Sequence, residues 1–217
     1  MYSLRAIHDF VPAGVKLEPI EVQHSILYVL EGAAEINGET IVADTAAYAM
    51  DIANIRALDK DTIIWRFELT PDDDPVVYAK GEGVASVLKI RRTVKMFELM
   101  PRQQWLFRLD SIYDNLGSTG LHSHPGSGIR CLLSGNLHVR GTLGEESDNT
   151  KLGDCWYEEG CYPIVSSTWG EDPTAFLRAL ILPVEYDKYP DTAMWIEGAK
   201  IVQSSWKSYS QQVVRLR

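Results

Sequence analysis

Apolar residues along this chain come in short β-branched and aromatic runs, set apart by Gly, Pro, Asn and Asp. Thr62 to Leu69, Trp105 to Tyr113, Ile129 to Leu133 and Ala175 to Leu182 are the clearest. Few stretches keep a helical period over three turns. The pattern predicts an all-β protein of sandwich or barrel type. In the tail from Asp191 to Arg217, Trp195, Ile196, Ile201, Val202 and Trp206 predict a segment that packs back, as a short helix or an edge strand.

The pattern occurs twice. Ser25-Ile26-Leu27-Tyr28-Val29-Leu30-Glu31-Gly32 aligns without gaps on Gly128-Ile129-Arg130-Cys131-Leu132-Leu133-Ser134-Gly135, at an offset of 103 (135 minus 32). Thr62 to Pro71 aligns on Thr174 to Pro183 at an offset of 112 (183 minus 71), with Thr, Arg and Pro coinciding. Two matches in the same order indicate an internal duplication. The offset grows by 9 (112 minus 103), so the second copy carries a longer loop, expected at Gly144 to Thr150. The boundary is expected near Lys80-Gly81-Glu82-Gly83, giving domains of residues 1–85 and 86–217.

Composition narrows the partners. Of 217 residues, 45% are hydrophobic, enough for a core, and the net charge is -9. That balance argues against nucleic acid or an anionic membrane as the main partner. There is no apolar signal core at Met1 to Asp9 and no apolar run of spanning length. Cys131, Cys155 and Cys161 are odd in number and form no Cys-x-x-Cys pair. Three buried thiols in a reduced cytoplasm are the simplest expectation.

The candidate chemistry lies at Leu121-His122-Ser123-His124-Pro125-Gly126. Histidines one residue apart on an extended segment project to the same side, where two imidazoles can grip a divalent metal. With Gly120, Gly135 and the stretch Gly153-Asp154-Cys155-Trp156-Tyr157-Glu158-Glu159-Gly160-Cys161-Tyr162-Pro163-Ile164, this region resembles the two motifs of the cupin superfamily. The resemblance implies two tandem cupin (double-stranded β-helix, jelly-roll) barrels, the first with a worn motif. It also implies a small-molecule ligand and a homodimer built through sheet edges.

The resemblance further implies a divalent metal (Zn, Fe, Mn or Ni); there is no Gly-rich phosphate loop, so no nucleotide cofactor is expected. The usual set is three His and one Glu. Here the Glu position falls on Gly128 and the last His position on Ile164, leaving His122 and His124. A third ligand could come from Glu158, His138 or a cysteine. In the first copy the corresponding positions are Pro19, Glu21 and Ser25, which lack the signature, and His24 should turn to the other face.

Around the pair, Arg130, Trp156, Tyr157, Glu158 and Tyr162 are candidate pocket residues. Arg130 should face the same way as position 128, either as an anchor for a substrate carboxylate or in an internal ion pair. Arg66 and Arg178 occupy equivalent places in the copies, which points to a structural role for both. The functional expectation is a metal-dependent enzyme acting on a small organic acid or aromatic compound in the second domain. Dioxygenase, isomerase, decarboxylase and hydrolase chemistry are not distinguished. The alternative is a metal-free binding or sensing protein.

Overall fold

The β-branched runs form eighteen strands, all paired antiparallel, in a computed structural model that describes residues 1–100, 102–114, 117–169, 172–189, 191–199 and 204–216. The chain divides into two units, Met1–Val94 and Lys95–Arg217.

The first unit holds β1 (Tyr2–Val11), β2 (Ile20–Glu31), β3 (Ala33–Ile36), β4 (Glu39–Val42), β5 (Thr45–Ala53), β6 (Ile55–Ala57), β7 (Thr62–Pro71) and β8 (Ala85–Thr93). A five-stranded sheet runs β5-β2-β7-β1-β8, and a smaller one runs β4-β3-β6. Its core includes Leu27, Val29, Ile36, Ile55 and Ile64. Strand β8 pairs with β1 and belongs to this unit.

The second unit holds β9 (Gln104–Asp114), β10 (His122–Ser123), β11 (Gly128–Ser134), β12 (Leu137–Gly141), β13 (Glu146–Asn149), β14 (Cys155–Glu158), β15 (Ile164–Ser167), β16 (Thr174–Leu182), β17 (Met194–Trp195) and β18 (Ser205–Arg215). One sheet runs β14-β11-β16-β9-β18 and the other β13-β12-β15-β10-β17. Leu132, Leu137, Val139, Trp156, Ile164 and Phe176 pack together in one core cluster. The tail supplies the edge strands β17 and β18; Ile201 and Val202 lie outside the described residues.

The large sheets share one strand order, and their register reproduces the repeat. Leu27 stands opposite Arg66, as Arg130 stands opposite Arg178, with offsets of 103 (130 minus 27) and 112 (178 minus 66). Leu27 also faces Ala47, and Arg130 faces Trp156, an offset of 109 (156 minus 47). Six of the nine added residues (109 minus 103) are therefore in place before β14. Part of the expected loop is the strand β13, joined to β12 by a longer turn than the one at Asn37-Gly38.

Gly32 and Gly135 show why the repeat kept its glycines. Both have left-handed backbone, φ +79° and +72°. A Cβ on either would lie 2.6 Å from the hydroxyl of Thr62 or Thr174, the threonines that open the second repeated segment. Only glycine meets both demands. Closed barrels were the expectation for each unit. Every sheet among the described residues instead has two open edges.

Candidate functional site

The second unit gathers its polar residues around one pocket of about 60 Å³, whose lining includes His122, His124, Arg130, Glu158 and Arg178 beside Ile164, Phe176, Trp195 and Trp206. Strand alternation builds it. Gly128 lies opposite Glu158 in the β11–β14 ladder, and Arg130 lies two residues on, on the same face. Because position 128 carries no side chain, the Arg130 guanidinium folds back over it. Its Nη1 donates to the Gly128 carbonyl at 2.6 Å, and its Nη2 lies 2.6 Å from Glu158 Oε2. The other Glu158 oxygen accepts from Trp156 Nε1 at 2.8 Å. Burial pushes the Glu158 carboxyl up, but Arg130, His124 and Trp156 outweigh it and hold its pKa well below the usual range.

The two histidine rings are 5.1 Å apart and nearly perpendicular. His122 pairs across its sheet with Ile164 on one side and Trp195 on the other. Its Nδ1 lies 2.9 Å from the Gly120 carbonyl, and His124 Nδ1 lies 3.2 Å from the Thr192 carbonyl. The His122 contact suits an Nδ1–H donor and leaves its Nε2 as the lone-pair nitrogen, whereas in His124 the ionised Glu158 carboxylate calls for the proton on Nε2. His124 Nε2 sits 3.3 Å from Glu158 Oε2. Burial, opposed by that carboxylate, lowers the His124 pKa to about 4.

Neutral His124 gives a pH prediction. Its folded pKa is below the unfolded value, so the unfolded chain takes up a proton first as pH falls. Stability present above pH ~6.5 is lost toward pH ~4, by up to about 3 kcal/mol from this group. His8 in the first unit, lowered to about 3 mainly by burial, acts in the same window. Comparing denaturant midpoints of wild type and His124→Gln between pH 7 and 4.5 isolates His124; an unchanged pH slope would contradict the assignment.

Beneath the pocket, Arg178 makes two bonds to Asp110, at 2.7 and 3.0 Å, and Arg108 lies 3.0 Å from the same carboxylate. All three residues are buried. In the first unit Arg66 likewise holds Asp9, at 2.5 Å, and Glu68. The equivalent arginines thus each anchor an aspartate on the neighbouring strand, as a structural role requires.

The remaining candidates separate. His138 lies on β12 opposite Asp148 of β13, 2.6 Å from its carboxylate and 3.2 Å from that of Glu146, and lines no part of the pocket. Trp156 is buried core against Phe176. Tyr157 and Tyr162 lie outside the lining, and Tyr162 is exposed. His24 in the first unit is buried against the Tyr48 hydroxyl at 2.7 Å. Asp110 and Thr192 were missed. The signal for Asp110 was an acid inside the apolar run Trp105 to Tyr113, which needs a buried partner.

The cysteines correct the expectation of three buried thiols. Cys131 and Cys155 face each other in the β11–β14 register and form a disulfide, while Cys161 is exposed. A disulfide removes the basis for assigning a reduced compartment. Alkylation of the denatured protein without reductant should label one cysteine, and after reduction all three. Three labels before reduction would contradict the bond. No helix among the described residues is long and apolar enough to cross a membrane.

The residues present do not make up the implied metal centre. Gly128 and Ile164 stand where two donors belong, and Arg130 brings a positive charge onto the third, Glu158. Among the described residues, His122, His124 and Glu158 do not bring their ligating atoms within 4.8 Å of one another.

No family model matches the chain, and no curated protein matches it. Solved structures do. The oxalate decarboxylase of Lactobacillus farciminis, determined as a formate complex, is similar with a TM-score of 0.59 and 12% identity, over 84% of this chain and 78% of that one. The oxalate decarboxylase of Bacillus subtilis, studied for its Mn(II) centres, gives 0.58 and 12%, over 88% and 71%. AerE of Microcystis aeruginosa gives 0.55 and 16%, over 80% and 85%. At these identities the likeness is one of fold, and the fold is cupin-like.

Proposed function

We propose that this is a small-molecule-binding protein of cupin type whose second unit takes a small carboxylic acid, as its anion, without a resident metal. The observation that carries the reading is the Arg130 guanidinium lying where a metal carboxylate would stand, within a buried cluster of three guanidiniums (Arg108, Arg130, Arg178) and two carboxylates (Asp110, Glu158). Asp191 also lines the pocket, so the formal charges there balance, and the attraction for an anion rests on the guanidinium of Arg130, a group that binds carboxylate in a bidentate way. The pocket, about 60 Å³, has room for roughly four water-sized groups, which suits formate, acetate or oxalate and excludes an aromatic acid. The formate complex of the L. farciminis neighbour supports the ligand class by analogy of fold.

A metal on His122 and His124 is the second reading. In its favour, both Nδ1 atoms face backbone carbonyls, the support metal-bound histidines usually have. It requires Arg130 to release Glu158. Thermal melts in a panel of acids and metals, with elemental analysis of the purified protein, separate the two. A ligand that binds only the folded state raises the melting temperature. A shift with formate or oxalate and none with manganese or zinc supports the first reading. Near-stoichiometric metal, lost in His122→Ala, overturns it.

A homodimer through sheet edges is part of the same proposal, supported by the long edge strands β8 and β18, which need cover. A light-scattering mass of one chain would refute it.

A further inference from the structure

We infer that the first unit carries a separate site for a small organic amine, one with several N–H or O–H donors. The place is a cavity of about 490 Å³, within the size range of ligand sites. Its lining is rich in acceptors and poor in donors. Glu21, Asp51, Glu68 and Asp74 contribute four carboxyl groups against one cation, Arg5. Glu68 is already tied to Arg66, and Asp74 accepts from the Thr70 hydroxyl at 2.6 Å. The carboxylates of Glu21 and Asp51, both on exposed residues, are left to face a ligand at the rim.

Two buried polar atoms in the lining point to an occupant. Arg5 is 1% exposed. Its Nη atoms donate to the carbonyls of Pro75 and Asp74, at 2.9 and 2.5 Å, but its Nε has no acceptor. The Gln23 Oε1 has no donor. Buried groups of this kind cost about 1–3 kcal/mol each unless something completes them.

The backbone is shaped for the same place. Gln23 is the extra residue of a β-bulge between β2 and β5, directly after Val22, which pairs with Asp51. Asp51 has left-handed backbone, φ +65°. Bulges re-aim side chains, and here the bulge places Gln23 and Asp51 on one cavity wall. A ligand ammonium would sit between Glu21 and Asp51, a further donor would reach Gln23 Oε1, and a ligand hydroxyl oxygen would accept from Arg5 Nε.

The test uses the full chain with glucosamine and putrescine as probes, and glucose, glutarate and magnesium chloride as controls. Titration calorimetry should show millimolar or tighter binding of at least one amine and none of the controls. Asp51→Asn with Glu21→Gln, both at exposed positions, should weaken amine binding about tenfold, the loss of two charged contacts. Asparagine keeps the left-handed backbone at position 51 available. Circular dichroism and an unchanged melting temperature confirm that the variant folds. No heat with either amine, equal binding by the double variant, or equal binding of magnesium would overturn the site.

Discussion

Asp110→Ala is expected to destabilise the second unit by about 3–5 kcal/mol, because it leaves the buried guanidiniums of Arg178 and Arg108 without their shared carboxylate. For a unit of this size that corresponds to a melting temperature lower by roughly 10 °C. Burial makes the difference. Arg102 and Glu185 are also in contact, at 2.6 Å, but the glutamate side chain is 62% exposed. Glu185→Ala should therefore cost no more than about 1 kcal/mol. Denaturant melts of both variants check the contrast. Equal, small losses would mean that the buried cluster is not the keystone of the β9–β16 ladder.

Gly128→Glu restores the carboxylate that the cupin motif has at this position, and it should fail as a metal-binding rescue. A Cβ at position 128 would lie 2.6 Å from the backbone oxygen of Ala179 and 2.6 Å from Leu180 Cδ2. Leu180 can adjust, but the Ala179 carbonyl is fixed in the β11–β16 ladder. It would also lie 3.1 Å from Arg130 Nη1, displacing the guanidinium that now fills the space. Overpacking against backbone should cost about 3 kcal/mol or more, and Gly128→Ala should already show most of it. A Gly128→Glu protein that melts like wild type and takes up stoichiometric manganese would show that the strands have slack and that the site is a metal centre lacking one ligand.

Much of this arrangement was legible in the sequence, for identifiable reasons. The repeat survived because Gly32 and Gly135 need left-handed backbone and tolerate no Cβ beside Thr62 and Thr174, so all four positions stayed recognisable. The side-by-side histidines and the gaps at Gly128 and Ile164 followed from strand alternation and motif spacing.

What was not legible depends on register between strands far apart in the chain. Arg130 meets Glu158 across 28 residues, Arg178 meets Asp110 across 68, and Cys131 meets Cys155 only because β14 pairs with β11. Sequence left Arg130 with two roles. The register favours the ion pair, and the place of Arg130 in the pocket lining keeps its guanidinium within reach of an incoming anion. Glu146-Ser147-Asp148-Asn149 is wholly polar and by itself predicts a loop; its form as the four-residue strand β13 comes from pairing with β12.

The second unit's pocket is proposed to bind a small acid through Arg130, with no metal required. Titration calorimetry of oxalate and formate into protein stripped with chelator tests it most directly. At least one acid should bind, equally well before and after stripping, and about tenfold or more weaker in Arg130→Gln. Binding that appears only after manganese or zinc is restored, and that disappears in His122→Ala while Arg130→Gln retains it, would contradict it.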